Sequence, residues 1–492
     1  MSTKLLQWFK NNGAILLILS AFHIIPILYS IVTGETMKII NGHLWSFLVT
    51  ILVGSIFFFI GRKAQMNARR PIGMVTAASA LVLLVICGAM TYVLTMETSI
   101  VDALFESASG FTTTGISIFN QVPEMPKSLL LWRSMTQWMG GLFALVFFIM
   151  VTFRNEDQLW RGYSTVLNHV KLPRHISNIY KGIVIFVGLF SVFTILQTTL
   201  LALSGVPFFE AVTHSMNTIS TGGFTNFDEG GLGILRGENL LVDYITVVFM
   251  FLGGMSYFFH ARYVLGDVKG ALKSTTFYNY IKLIGILFVA FMAMTYLDGQ
   301  LTRDSFFNTL FMSVSAVSTT GYGLKASDLS IFTNGMVIVL IPIMLIGGSM
   351  GSPAGGIKVN RITLVIRTLR SEFNKLIAPK QAVIPVQYDM KIVDKDLLVR
   401  ISVLITAWLG TLFVGSLILS LSTNLELSDL FVLATSAIGN SGVMPITSEA
   451  LSDLSVTGKL TLSAMMIAGR VEIIPILLLF NFKIFSKRGG SK

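Results

Sequence analysis

The stretch Ser109-Gly110-Phe111-Thr112-Thr113-Thr114-Gly115 closes a semi-apolar run, 101–111, that is too short to cross a bilayer. A crossing helix takes about 20 mostly apolar residues. Three later stretches repeat the arrangement. Residues 208–219 run into Ser220-Thr221-Gly222-Gly223, 306–317 into Ser318-Thr319-Thr320-Gly321, and 429–439 into Asn440-Ser441-Gly442. With Gly115, Gly222, Gly321 and Gly442 taken as equivalent, the spacings are 107, 99 and 121 residues. Recurrence at a roughly constant interval marks an internal repeat.

Longer apolar runs flank every half-span: 72–96, 128–152, 182–204, 240–264, 279–297, an interrupted 335–369, 399–420 and 459–482. Two more, 13–33 and 44–61, precede the first unit, so ten crossings are expected. The first lacks the short apolar core and small-residue cleavage site of a secretory signal, and reads as a retained helix. The chain then divides into two N-terminal helices (1–70) and four pore repeats, 71–160, 161–270, 271–380 and 381–492. Each repeat reads span, half-span, glycine turn, span. Two crossings return the chain to its starting side, so the four units are parallel, whereas inverted repeats need an odd number. The expected fold is an all-α polytopic membrane protein with four parallel units around a pseudo-fourfold pore.

Composition agrees. Of 492 residues 53% are hydrophobic and only 12% charged, against about 25% charged in soluble domains. Soluble multidomain, disordered and collagenous classes are excluded. The lone Cys87 lies in an apolar run, which rules out a disulfide framework or thiolate metal cluster. A net charge of +11 suggests nucleic acid until the charges are sorted by side. The side holding both termini carries 28 Lys/Arg and seven Asp/Glu; the side of the turns carries seven and 17. With charges near span ends assigned to the adjacent side, only Arg470 and Glu472 are left within a span. Lys and Arg are retained in the cytoplasm, so both termini are expected there. The turns then enter from outside, beneath a mouth whose negative charge concentrates cations. Lipid is the expected surrounding, and nucleic acid is not a partner.

A dehydrated cation needs a replacement shell of oxygens, which rings of backbone carbonyls supply. Glycine lets the backbone take the unusual dihedrals such a ring requires. Irregular backbone at membrane depth survives only when buried or lining a water-filled path. Four such breaks in matching register point to a pore.

At these residues the chain resembles the Trk/Ktr/HKT superfamily of K⁺-translocating subunits. The resemblance rests on 109–115, Ser-Thr-Gly-Gly-Phe at 220–224, Ser-Thr-Thr-Gly-Tyr-Gly at 318–323 and Ile-Gly-Asn-Ser-Gly-Val at 438–443. It covers about residues 70–485, and the two extra N-terminal spans favour the Trk branch. The resemblance implies K⁺ as the transported ligand, with no cofactor on this chain. It implies coordination by carbonyls at Thr113/Thr114, Ser220/Thr221, Thr319/Thr320 and Asn440/Ser441, each pair before its glycine. An intact Gly115 goes with K⁺ rather than Na⁺ preference. Further implications are a homodimer in the bacterial inner membrane and a cytosolic ring of RCK-type nucleotide-binding regulatory subunits.

The third unit's second span contains Gly347-Gly348-Ser349-Met350-Gly351-Ser352-Pro353-Ala354-Gly355-Gly356. Each Gly costs a helix about 1 kcal/mol against Ala, and Pro about 3. An unbroken helix is not expected there, and the break should line the cavity. In the family the matching loop gates the pore, and Lys358 follows as in its Gly-Gly-Ile-Lys; Pro353 departs from the Ser-Thr-Gly pattern. Gly140-Gly141, Gly253-Gly254 and Gly347-Gly348 recur 25, 31 and 26 residues after the filter glycines, and the fourth unit has Gly469-Arg470 at 27. An arginine within a span faces an interior or aqueous path. Arg470 is therefore expected to sit below the filter as a cationic barrier, and the resemblance of Gly469-Arg470-Val471-Glu472 to the family's motif implies that it holds the loop; the alternative is a buried Arg470–Glu472 partnership with no transport role.

An enzyme is not expected. Gly347-Gly348-Ser349-Met350-Gly351 fits G-x-S-x-G in form, but that motif needs a strand-to-helix elbow and a His partner. A Na⁺- or H⁺-coupled symporter using the same pore stays open as the alternative.

Overall fold

Long runs of Leu, Ile, Val and Phe become helices in a bilayer because only the helix itself can satisfy their backbone. The computed structural model describes residues 2–64, 70–153, 179–228, 240–299, 302, 305–323, 334–379, 384–388 and 391–485. Helices α1 (Thr3–Val32) and α2 (Met37–Gly61) form the N-terminal pair. Small residues let their backbones touch: a Cβ on Gly13 would lie 2.3 Å from Phe58 N, and one on Gly61 2.3 Å from Lys10 N.

The first unit comprises α3 (Arg70–Met96), the half-span α4 (Ile100–Phe111) and α5 (Lys127–Phe153). The second has α6 (Ile179–Leu203), α7 (Phe208–Ile219), α8 (Leu240–Gly254) and α9 (Tyr257–Val264). The third has α10 (Thr275–Leu297), α11 (Ser305–Ser318), α12 (Asn334–Ile346) and α13 (Val359–Ile377). The fourth has α14 (Lys395–Ser422), α15 (Leu427–Gly439), α16 (Val456–Arg470) and α17 (Ile474–Leu479). Between the third and fourth lies a two-residue antiparallel pair, Gln387–Tyr388 with Lys391–Ile392. Glu35, between α1 and α2, accepts from the Ser128 N–H at 2.9 Å and fastens the N-terminal pair to the start of α5.

Among the described residues six single helices are long and apolar enough to cross a membrane: α1, α2, α3, α6, α10 and α14. The second spans of units two to four are broken, which corrects the expectation of unbroken runs at 240–264 and 459–482. The chain bends by 99° between α8 and α9, where Gly253-Gly254 meets Met255-Ser256. After Arg470 both Glu472 (φ 65°) and Ile473 (φ 53°) are left-handed, and the helix stops before α17 begins at Ile474. A β-branched residue in that region is a steric outlier, so the break is imposed by its surroundings.

The units close into a ring. Each second span packs on the half-span of the following unit: α5 on α7, α8 on α11, α12 on α15, and α16 back on α4. Across that last junction Lys459 meets Asp102 at 2.5 Å.

Between half-span and second span the same position carries different chemistry in each unit. In the first, Glu106 (0% exposed) pairs with Arg133 (2%) at 2.8 Å. Arg133 also donates to Ser117 Oγ at 3.0 Å and Thr225 O at 3.1 Å, and lies 4.3 Å over the Phe224 ring. In the second unit His214 and Thr246 occupy these places, 3.2 Å apart. In the third they are Met312 and Leu340, and in the fourth Leu433 and Leu462, all in apolar clusters. Arg133 and Glu106, assigned to the outer surface by sequence, are thus buried and cancel. Residues 154–178, Arg236, Arg303, Lys325 and 486–492 lie outside the described residues.

Removing one member of a buried ion pair costs about 3–5 kcal/mol, whereas an apolar replacement of both is near neutral. Arg133→Leu is therefore expected to lower Tm sharply in detergent, and Arg133→Leu with Glu106→Leu, which copies the fourth unit, to restore most of it. Equal Tm values for single and double variants would contradict this account.

Candidate functional site

Each half-span ends on its negative dipole pole and passes into one left-handed residue: Thr113 (φ 52°), Thr221 (53°), Thr319 (57°) and Asn440 (49°). Two residues on comes a left-handed glycine: Gly115 (86°), Gly223 (77°), Gly321 (81°) and Gly442 (74°). Between them the N–H groups of Thr114, Gly222, Thr320 and Ser441 donate to the carbonyls of Ser109, Asn217, Ser315 and Ser436 at 2.8–3.1 Å. This shared bond sets the register. The counterpart of Thr113-Thr114-Gly115 in the second unit is Thr221-Gly222-Gly223, one residue later than Ser220-Thr221-Gly222. Ser220 falls back onto its helix end, its hydroxyl donating to Met216 O at 2.8 Å. Two successive glycines hid the shift. The signal that finds it is the buried apolar residue after each left-handed turn glycine: Ile116, Phe224, Tyr322 and Val443.

In this register the four turns form a closed cycle. A Cβ on Gly115 would lie 2.1 Å from Gly222 O, and one on Gly223 2.0 Å from Thr320 O. One on Gly321 would lie 2.6 Å from Ser441 O, and one on Gly442 2.7 Å from Thr114 O. Each unit's glycine thus receives the next unit's carbonyl, and the fourth returns to the first. Only glycine meets both demands, positive φ and a neighbouring carbonyl where a side chain would stand.

The surrounding protein holds this ring. Gln137 Nε2 donates to Gly222 O at 2.6 Å, and Gln137 Oε1 accepts from the Phe224 N–H at 3.1 Å. Asn440 Nδ2 donates to Thr114 Oγ1 and to Met466 O, both at 2.9 Å, joining the fourth turn to the first and to α16. The second-span glycines explain the tightness of the packing. A Cβ on Gly140, Gly253 or Gly469 would meet the carbonyl of Phe111 (2.2 Å), Ile219 (3.0 Å) or Ile438 (1.9 Å), each the last or next-to-last residue of a half-span.

The glycine-rich loop 347–358 folds back on itself, the N–H groups of Ile357, Lys358 and Val359 donating to the carbonyls of Leu345, Ile346 and Gly348 at 2.7–3.1 Å. Gly347, Gly351 and Gly356 are left-handed, as is Lys358 at 85°. Gly348 is packed by Ala354, and Gly355 rests on the fourth unit, where a Cβ would lie 2.0 Å from Gly439 O. The Gly355 N–H donates to Thr319 Oγ1 at 2.7 Å, a direct bond from the loop to the third turn. Ser349 N–H reaches Gly254 O at 3.1 Å, and Gly351 O accepts from Tyr257 N–H at 2.9 Å, both in the broken second-unit span. Arg470, 8% exposed, donates to Pro353 O in the loop and to Gly140 O (3.1 Å) in the first unit. The loop is therefore held by every unit, directly or through Arg470. The contact uses the Pro353 carbonyl, so the departure from Ser-Thr-Gly leaves it intact. Glu472 pairs not with Arg470 but with Arg361, at 2.7 Å, a partner 111 residues away that sequence spacing did not reveal.

The carbonyls of Thr114, Gly222, Thr320 and Ser441 that meet the neighbouring glycines are neutral oxygens, a donor type suited to a hard monovalent cation. Among the described residues no cluster of His, Cys, Asp and Glu could hold a metal ion.

Comparison with known proteins gives a consistent picture. The family model described as TrkH, a cation transport protein, matches residues 43–488. An uncharacterised cation transporter of Methanocaldococcus jannaschii is 30% identical over 95% of this chain and 94% of its own length. The Trk system potassium uptake protein TrkH of Salmonella typhimurium is 24% identical over 95% of this chain and 97% of its own. The crystal structure of the potassium transporter TrkH from Vibrio parahaemolyticus matches with TM-score 0.82 and 22% identity, covering 98% and 99% of the two chains.

The register has a direct consequence. Gly223→Ala is expected to abolish cation flux in reconstituted liposomes, while Ser220→Ala retains most of it. The reverse ranking would restore the register Ser220-Thr221-Gly222.

Proposed function

This chain belongs to the TrkH family of cation transport proteins, and from that membership we propose that it carries K⁺ through the ring of Thr114, Gly222, Thr320 and Ser441 carbonyls. The observation that carries this reading is the cycle of glycine–carbonyl contacts around the four turns. Carbonyls so arranged replace the hydration shell of a permeating ion, while half-span dipoles add negative potential. The names of the potassium uptake relatives supply the ion.

The bound species is a single K⁺ passing between filter residues Thr113–Gly115, Thr221–Gly223, Thr319–Gly321 and Asn440–Gly442. With both termini cytosolic, K⁺ enters from the outer face, and loop 347–358 with Arg470 forms the gate beneath. The Gly355–Thr319 and Arg470–Pro353 bonds support that role. Arg470 opposes ion passage by its charge and anchors the loop in the observed position. Glu472, which a proton-coupled route would use, is engaged by Arg361, and this favours a channel-like path over coupled symport. Control by a separate nucleotide-binding ring on a homodimer is what the Trk/Ktr/HKT resemblance implies. Its test is recovery of such a subunit in a pull-down that survives high salt.

Two variants test the reading. Gly115→Ser adds a side chain where Gly222 O now lies, and the K⁺ over Na⁺ flux ratio should fall at least about tenfold, the equivalent of roughly 1.4 kcal/mol. An unchanged ratio would remove the filter assignment. Arg470→Ala should raise basal K⁺ flux by releasing loop and barrier together; unchanged flux and unchanged regulation would remove the gate assignment.

A further inference from the structure

A cavity of about 260 Å³ lies against the gate loop, bounded also by α5, α14 and the end of α16. Its volume is that of several waters, at about 30 Å³ each. Four cationic side chains line it: Lys358, Arg361, Arg400 and Arg470. Among the described residues its one carboxylate is Glu472, which is held by Arg361. Lys358 and Arg470 spend their donors on backbone carbonyls, Ala354 O, Pro353 O and Gly140 O. None of these carries a neutralising charge.

Two further observations point to a ligand. Arg470 Nε and Arg400 Nη1 are buried donors without a hydrogen-bond partner, on two different elements of the same cavity. Helix α13 starts at Val359 with no side-chain cap, and its first turn lines the cavity through Lys358 and Arg361. The positive end of this 19-residue helix lies beside the cluster and adds to its potential, its Val359 and Arg361 N–H groups already donating to Gly348 O and Lys358 O. Buried charge left without a counter-charge is strongly unfavourable, and guanidinium forks match tetrahedral oxyanions in geometry.

We infer that this cavity is a binding site for a phosphate-class oxyanion, held by Arg400, Lys358 and Arg470 and touching the gate loop directly. The anion completes the charge balance of the cluster and couples α14 to the loop. The oxyanion is either free phosphate or the headgroup of an anionic phospholipid, since Met74, Phe147 and Leu404 give the cavity apolar walls as well. The site shares Asn440, Arg470 and the loop with the proposed filter and gate and rests on that reading for its consequence, but binding is measured without ion flux, so the two fail separately.

The test uses the full-length chain. Calorimetric titration with inorganic phosphate should show saturable binding to wild type, weakened at least about tenfold in Arg400→Gln through loss of a charge-assisted hydrogen bond. Arg367→Gln is the charge-matched control, because Arg367 lies over the Tyr388 ring at 5.2 Å and does not line the cavity. Its affinity should equal that of wild type. If phosphate fails to bind but phosphatidylglycerol is retained by wild type over phosphatidylcholine in nanodiscs, and lost in Arg400→Gln, the source is the lipid headgroup. Absence of both binding signals, or equal loss in Arg367→Gln and Arg400→Gln, would overturn the site.

Discussion

The carbonyl oxygens of Thr114, Gly222, Thr320 and Ser441, each seated against a neighbouring unit's glycine, form one cycle in this protein, and their like partial charges repel. The rest of the architecture serves that constraint. Left-handed turn residues cost roughly 1–2 kcal/mol each when they are not glycine, and Thr113, Thr221, Thr319 and Asn440 all bear it. Such strain persists only where the surroundings over-determine it. Here they do, through the shared turn bond, the second-span glycines packed on half-span carbonyls, and the clamps from Gln137 and Asn440. A cation at the centre would turn the mutual repulsion into attraction.

The ring is fourfold in backbone and unequal in side chains. The first two units support it with polar groups, the Glu106–Arg133 pair and the His214–Thr246 contact, and the last two with apolar packing. The contacts around the loop are likewise asymmetric. The third unit carries the glycine-rich run 347–356, and the fourth supplies the buried Arg470 that donates to it. A sequence repeat thus became four quarters of one site, with distinct tasks assigned to the second spans.

Much of this was legible in the sequence because it depends on local chemistry. Half-span length, glycine turns and the run 347–356 gave the membrane fold, the turns and the position of the loop. What escaped depends on partners far along the chain. Gly222-Gly223 offered two equally good glycines, and only contacts with Gly115 and Thr320 decide between them. Arg133 and Glu106 looked like surface charges because their pairing is tertiary. Glu472 stood beside Arg470 in sequence, yet an i, i+2 spacing shares no helix face, and Arg361 claims it. The breaks at 254–257 and 470–474 are likewise fixed by packing.

The central claim is that the four carbonyls in the register Thr114, Gly222, Thr320 and Ser441 bind the permeating ion. Anomalous scattering from crystals grown in Rb⁺ tests it most directly. The account predicts a peak on the axis encircled by those four oxygens, lost when Na⁺ replaces Rb⁺. A peak coordinated instead by side chains away from the ring, or none within the ring in Rb⁺, would contradict it.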